Sequence, residues 1–312
     1  MILSVSRRTD IPAFYFDWFL RRLREGSLLV EHPRNPTRLS RVMLTPDVVD
    51  GMVFWSKNPA PMLPHLEELN QRGIPFYLQF TLTPYGPPWE PHVPSLPARV
   101  RAFQQLSIAL GPQRVIWRYD PIILDQAHPV SWHLAQFTAL YQQLHGFTHR
   151  CVISFVDPYR HLRGRFSAPS LQEIFQLAEG FSRIARGGSM ELVTCSELVD
   201  LSSFGIGHGA CIDPALVEEL LGCPIRAKKD RTQRPACGCM ESIDVGAYNT
   251  CPGGCAYCYA VNSAAVLQRI RLYDPQSPAL CRQLSGQEIL FQRQMKTIKM
   301  DIPNSHKKGS RP

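Results

Sequence analysis

The sequence has no long hydrophobic run, few charged residues, no dinucleotide-type glycine fingerprint and no internal repeat. No segment approaches the roughly 18 uninterrupted apolar residues of a membrane-spanning helix, so no membrane role is expected. Charged residues make up 19% of the chain and hydrophobic residues 44%, a balance that excludes an intrinsically disordered protein. A secretory leader is not expected either. Met1 to Val5 is apolar, but Arg7 and Arg8 follow, and Asp17, Arg21, Arg22 and Arg24 interrupt the next segment. The protein therefore reads as cytoplasmic, where thiols stay reduced. Acidic residues are the scarcer charge, 26 against 34 basic ones, for a net +8 over 312 residues. From Ile289 onward six basic residues face one acid, so +5 of that charge belongs to the last 24 residues. A basic tail suits nucleic acid, but a solvated terminus has the same composition.

What the chain does have is cysteine. There are ten, and five of them fall between Cys237 and Cys258. In a reduced compartment such clustering points to metal, cofactor or catalysis before disulfides.

Seven short β-branched and aromatic runs read as buried strands: Ile2–Ser6, Met52–Trp55, Phe76–Thr81, Val115–Tyr119, Cys151–Val156, Glu191–Thr194 and Ser242–Val245. Amphipathic helix patterns separate them over Ala13–Glu25, Pro97–Leu110, Ser131–Leu144, Ser170–Ala185 and Pro214–Leu221. Ser27–Leu44 reads as a β-hairpin about Pro33-Arg34-Asn35-Pro36. Strand–helix alternation without a glycine fingerprint predicts an α/β fold, a full or partial (β/α) barrel rather than a doubly wound sheet. The expected division is a barrel over residues 1–265, carrying a cysteine-bearing insert at about 197–240, then a C-terminal helix and basic tail over 266–312.

In a parallel barrel the site lies at the C-terminal ends of the strands. Polar residues recur there: Arg7, Arg8 and Asp10, then Lys57, then Arg118 and Asp120. The expectation is an anion-binding mouth in which these six orient cofactor and substrate.

The sharpest motif is Cys251-Pro252-Gly253-Gly254-Cys255-Ala256-Tyr257-Cys258, spaced C-x3-C-x2-C between a strand and a helix. Three thiolates on one tight loop can grip three iron corners of a cubane cluster and leave the fourth iron open. Structural zinc and inert buried thiols are the alternatives. The motif resembles that of the radical S-adenosylmethionine superfamily. The resemblance implies a [4Fe–4S] cluster on Cys251, Cys255 and Cys258, with Tyr257 near the adenine of S-adenosylmethionine. It also implies reductive cleavage of that cofactor to a radical that abstracts hydrogen from substrate. In the superfamily the motif follows the first strand. Here it follows the last, as in a circular permutation. The superfamily's Gly-Gly-Glu is also missing.

The whole chain more closely resembles a family catalogued as domain of unknown function 1848. Ser4-Val5-Ser6-Arg7-Arg8-Thr9-Asp10-Ile11-Pro12, Phe54-Trp55-Ser56-Lys57-Asn58-Pro59, Cys237-Gly238-Cys239-Met240-Glu241-Ser242 and Gly246 to Ala260 carry that likeness. It implies an iron–sulfur protein of radical S-adenosylmethionine type. A small-molecule or nucleotide-like substrate is expected, with an electron donor such as ferredoxin or flavodoxin. A zinc-stabilised nucleic-acid-binding protein and a non-catalytic iron–sulfur electron carrier are the rival readings.

Four further cysteines, Cys195, Cys211, Cys237 and Cys239, are expected to form a second site. An auxiliary [4Fe–4S] cluster, zinc and no metal at all are the alternatives. Cys223 is an alternative ligand, and Cys151 a core thiol.

Overall fold

A computed structural model of the chain describes residues 1–157, 159, 164–188 and 190–300. Its elements are β1 (Ile2–Val5), α1 (Ile11–Phe14), α2 (Phe16–Glu25), β2 (Ser27–His32), β3 (Asn35–Met43), β4 (Gly51–Ser56), α3 (Leu66–Gln71), β5 (Phe76–Thr81), α4 (Leu96–Leu110), β6 (Val115–Ile122), α5 (Val130–Leu144), β7 (Arg150–Phe155), α6 (Leu171–Ala185), β8 (Glu191–Thr194), β9 (Gly207–His208), α7 (Pro214–Leu221), β10 (Ser242–Asp244), α8 (Ser263–Ile270) and β11 (Ile289–Gln292).

The fold is α/β. Eight parallel strands form one sheet in the order β10-β1-β4-β5-β6-β7-β8-β9. From β1 to β9 the strands follow chain order without reversal, unlike a doubly wound sheet. β10 adds on the free side of β1, with Leu3 level with Ile243. The last strand of this sheet in chain order thus lies beside the first. β9 and β10 are the two edges and no ladder joins them, so the described sheet does not close into a full barrel.

Side-chain alternation along the strands gives the sheet two faces. Leu3, Val5, Met52, Phe54, Leu78, Phe80, Trp117, Tyr119 and Ile153 pack with helices α1–α6 in the main core. Phe54 sits edge-on to Phe16, Phe19 and Phe76 and is fully buried. Ile2, Val53, Tyr77, Ile116, Val152 and Val193 point the other way. They are covered by α7 together with Cys211, Cys237, Cys239 and Met240. The cysteine-bearing segment is therefore the lid of the second face.

Several local details depart from the sequence pattern. The helix expected over 13–25 breaks at Tyr15, whose hydroxyl reaches the carbonyl of Thr250 at 2.6 Å instead of continuing one cylinder. Arg118 and Asp120 lie inside β6, because that strand runs on to Ile122. The C-terminal helix is α8, which ends at Ile270. The stretch Ile289–Gln292, assigned above to the basic tail, is a strand paired parallel with β3. Its β-prone Ile-Leu-Phe overrides the surrounding charge. Lys307, Lys308 and Arg311 lie outside the described residues. The expected hairpin is present as β2 and β3, and α6 opens with a full capping box between Ser170 and Glu173. Among the described residues no helix is long and apolar enough to cross a membrane.

Candidate metal and cofactor site

The cysteine loop starts where β10 ends, pressed against the end of β1. A Cβ at Gly246 would stand 2.1 Å from Ser6 Oγ and 2.7 Å from Ser6 Cβ, so only glycine fits there. Asp244 anchors the junction by accepting from Ser4 Oγ (2.9 Å), Ser6 Oγ (2.6 Å) and the Arg7 amide (2.8 Å). Thr9 Oγ1 donates to the Ala247 carbonyl, and the Thr9 and Thr250 hydroxyls meet at 2.6 Å. On the far side, His92 Nδ1 lies 2.7 Å from the Pro252 carbonyl, and the Ala256 amide donates to the Trp89 carbonyl. Gly254 takes the left-handed φ of +68° that the reversal needs.

Two thiols of this loop flank one space, with Cys258 close to both. A Cβ at Gly253 would lie 3.4 Å from Cys251 Sγ and 3.9 Å from Cys255 Sγ. The amides of Asp10 and Gly253 point at the Cys251 sulfur, and those of Ala260 and Val261 at the Cys258 sulfur. Burial pushes all three thiols up, Cys255 to about 12. As the side chains stand, no group of three or more His, Cys, Asp or Glu among the described residues is arranged as a formed metal site. A cubane spreads its ligand sulfurs several ångströms apart, further than one ion does. Three cysteines on one loop, amide donors at two sulfurs and a side-chain-free glycine between two of them fit such a cluster.

Asp10 and Lys57 join this loop. Asp10 caps α1 through the Ala13 amide and accepts from Ser56 Oγ (2.6 Å) and the Lys57 amide (2.8 Å). Desolvation outweighs these bonds and raises its carboxyl above the ordinary value. Lys57 Nζ lies over the Tyr257 ring and donates to Glu90 at 2.9 Å. Glu90 is fully buried and also accepts from Thr83 Oγ1 (2.6 Å), Arg99 (3.3 Å) and the Tyr257 hydroxyl. Burial would raise its carboxyl, but Lys57 and Arg99 together hold it below the ordinary value. Glu90, Thr83 and Arg99 were not foreseen, because they sit in or beside a proline-rich loop with no periodic pattern.

The other four expected residues separate. Arg118 reaches Cys211 Sγ at 2.5 Å and pairs with Asp120. It therefore serves the second cysteine set, not the Cys251 loop. Arg7 stands between the sets. It donates to Ser242 Oγ (2.7 Å), lies 3.7 Å from Asp230, and receives the Tyr259 hydroxyl on its carbonyl. Arg7 and Arg118 both lie against the Trp55 ring, 5.6 and 5.2 Å from its centroid. Arg8 sits at the rim over Tyr248.

The second set comes together. Cys211 and Cys195 sulfurs are 2.9 Å apart, and Cys239 bonds with both Cys211 and Cys237. Thiol donation from Cys211 and Cys237 pulls Cys239 down to about 2. Cys223 and Cys151 are not in the group: Cys151 is a buried core thiol on β7. Among the described residues, Arg7 Nε, Trp55 Nε1, Gln79 Oε1 and Ser196 Oγ are buried without hydrogen-bond partners. A surface groove between α5 and α6, lined by Leu134, Glu173, Gly180 and Arg183, touches none of these residues.

The family model described as Domain of unknown function (DUF1848) matches residues 2–260. The chain belongs to this family. The matched span takes in β1 through β10, the whole Cys251 loop and all four cysteines of the second set. No curated protein and no solved structure matches the chain.

Proposed function

We propose that this DUF1848 protein is a cytoplasmic iron–sulfur enzyme of radical S-adenosylmethionine type, built on a permuted partial barrel. The observation that carries the reading is the Cys251 loop. It offers three half-buried thiols close together, with amides aimed at two of the sulfurs, at the C-terminal end of a strand that neighbours β1. One-directional strand order supports the partial-barrel reading. Cys251, Cys255 and Cys258 would hold a [4Fe–4S] cluster. When bound, such a cluster supplies the electron that cleaves S-adenosylmethionine reductively and starts radical chemistry on a substrate.

The chain's own residues divide the remaining work. Tyr257, fixed by Glu90 and Lys57, offers an aromatic face beside the cysteines. Lys57 brings a positive charge to the same space, where a cofactor carboxylate would bind. The buried, unpartnered polar atoms of Arg7, Trp55, Gln79 and Ser196 suit a polar small-molecule or nucleotide-like substrate, since such atoms gain most from a ligand. Reducing electrons would come from a ferredoxin- or flavodoxin-type donor.

The test is electron paramagnetic resonance on anaerobically reconstituted, reduced protein. A cluster signal that changes on adding S-adenosylmethionine and vanishes in Cys255→Ala supports the proposal. A cluster signal indifferent to S-adenosylmethionine favours an electron carrier. A protein that takes up only zinc favours the nucleic-acid-binding reading, whose affinity would fall steeply with salt.

A further inference from the structure

The segment from Cys195 to Cys239 has one helix of eight residues, yet it lies across the second face of an eight-stranded sheet. Four of its five cysteines come from three places: the end of β8, the loop before α7, and the turn before β10. Cys211, Cys237 and Cys239 are 1%, 5% and 2% exposed, deep enough to exclude water from their sulfurs. The sulfurs touch in series, Cys195 to Cys211, Cys211 to Cys239 and Cys239 to Cys237.

The surroundings are arranged for negative charge. Arg118 donates to Cys211 Sγ at 2.5 Å, and the Ile212 amide donates to Cys239 Sγ at 3.3 Å. Arg7 is near enough for its charge to act on Cys239. The backbone is fixed as well. Tyr77 Oη and Gln79 Nε2 donate to the Cys211 carbonyl, and a Cβ at Gly238 would stand 2.9 Å from the Gly209 carbonyl oxygen. Three buried thiols and a half-buried one, two guanidinium groups and a close-packed glycine are more than a hydrophobic lid needs.

We infer that Cys195, Cys211, Cys237 and Cys239 form a closed four-thiolate site for a single tetrahedral ion of the zinc class, distinct from the Cys251 loop. The spacing is nearer to one ion than to a cubane: the sulfurs touch in a row, and closing them around one point takes side-chain rotation, since as they stand no three of them surround an ion. Metal–sulfur bonds of about 2.3 Å set neighbouring sulfurs about 3.8 Å apart. The 2.9 Å contact between Cys195 and Cys211 opens to that distance by less than a rotamer change. A cubane would drive the sulfurs several ångströms apart within a cluster where Ile212 and Met240 are already buried beside them. On binding, each thiol that ligates releases its proton to solvent and its sulfur donates a lone pair to the ion. No electron is transferred. The four-thiolate ion carries a double negative charge, which Arg118 and Arg7 offset. The site has no open position, so its role is to fasten the segment across the sheet.

The experiment uses the full chain carrying Cys251→Ala, Cys255→Ala and Cys258→Ala, which removes the other cysteine set and separates this inference from the proposed activity. Purified anaerobically under reducing conditions, it should hold about one zinc ion per chain and no acid-labile sulfide. Replacing zinc with Co²⁺ should give the visible absorption of a tetrahedral cobalt thiolate. Adding Cys195→Ser, at the least buried position of the set, should weaken zinc retention against a chelator at least tenfold. A count of reagent-accessible thiols should rise by about four when zinc is stripped. Metal content no greater than that of a Cys211→Ser, Cys239→Ser variant would overturn the inference. Iron with sulfide at these residues, or zinc retained without them, would overturn it too.

Discussion

Glu90 gives the sharpest test of how the Cys251 side of the molecule is held. Its carboxylate is fully buried between Lys57 at 2.9 Å and Arg99 at 3.3 Å, and it also accepts from Thr83 and Tyr257. Glu90→Ala leaves a guanidinium that is 2% exposed without its counter-charge. Arg99 keeps only the carbonyls of Pro94 and Tyr85 as acceptors. Breaking a buried pair from one side costs about 3–5 kcal/mol. At about 2–4 °C per kcal/mol for a chain of this order of size, the melting temperature should fall by roughly 10 °C. Glu90→Gln keeps the shape and an acceptor for Thr83, so it should cost less. Lys57→Met combined with Glu90→Ala should be less damaging than the sum of the two, by about 1–3 kcal/mol. The assay is thermal or denaturant unfolding of the metal-free protein, with all variants under one set of conditions. A loss below about 1 kcal/mol for Glu90→Ala, or strict additivity with Lys57→Met, would refute the reasoning.

Three further outcomes follow from single positions. His133 is buried and neutral: its Nε2 donates to the Ile123 carbonyl (2.8 Å), and its Nδ1 accepts from Tyr119 (2.9 Å). Burial lowers it from 6.5 to about 4. Stability from this group is complete above pH 6.5, is lost as pH falls toward about 4, and changes no further below that. The loss amounts to about 3 kcal/mol, and His133→Asn should flatten that slope in urea unfolding between pH 7 and 4. Gly246→Ala forces a carbon into Ser6 and should cost about 1–3 kcal/mol while lowering iron uptake by the adjoining loop, read by metal analysis. Phe54→Ala empties the center of an aromatic cluster and should cost about 3–5 kcal/mol in the same unfolding assay.

The parallel α/β architecture was legible because each strand is a short β-branched run and most of the helices carry an amphipathic stripe. Phe76–Thr81, Glu191–Thr194 and Pro214–Leu221 were delimited to the residue from pattern alone. The gathering of Cys195, Cys211, Cys237 and Cys239 was legible from chemistry, since scattered thiols in one irregular segment gain from meeting. The partners of those residues were not. Glu90 finds Lys57, Arg99 and Tyr257 only through the tertiary path of the 83–97 loop, and no local period encodes that path. The break at Tyr15 likewise depends on Thr250, 235 residues away. The diversion of Arg118 to Cys211 follows from which face of β6 it occupies. Ile116 and Arg118 share that face, and the cysteine segment covers it.

The central claim is that the Cys251 loop binds a cluster that acts on S-adenosylmethionine. Its most direct measurement is product analysis after anaerobic reconstitution with iron and sulfide, reduction, and incubation with S-adenosylmethionine. The account predicts 5′-deoxyadenosine from the native chain and none from Cys255→Ala. A native chain with full iron and sulfide content that yields no 5′-deoxyadenosine would contradict it.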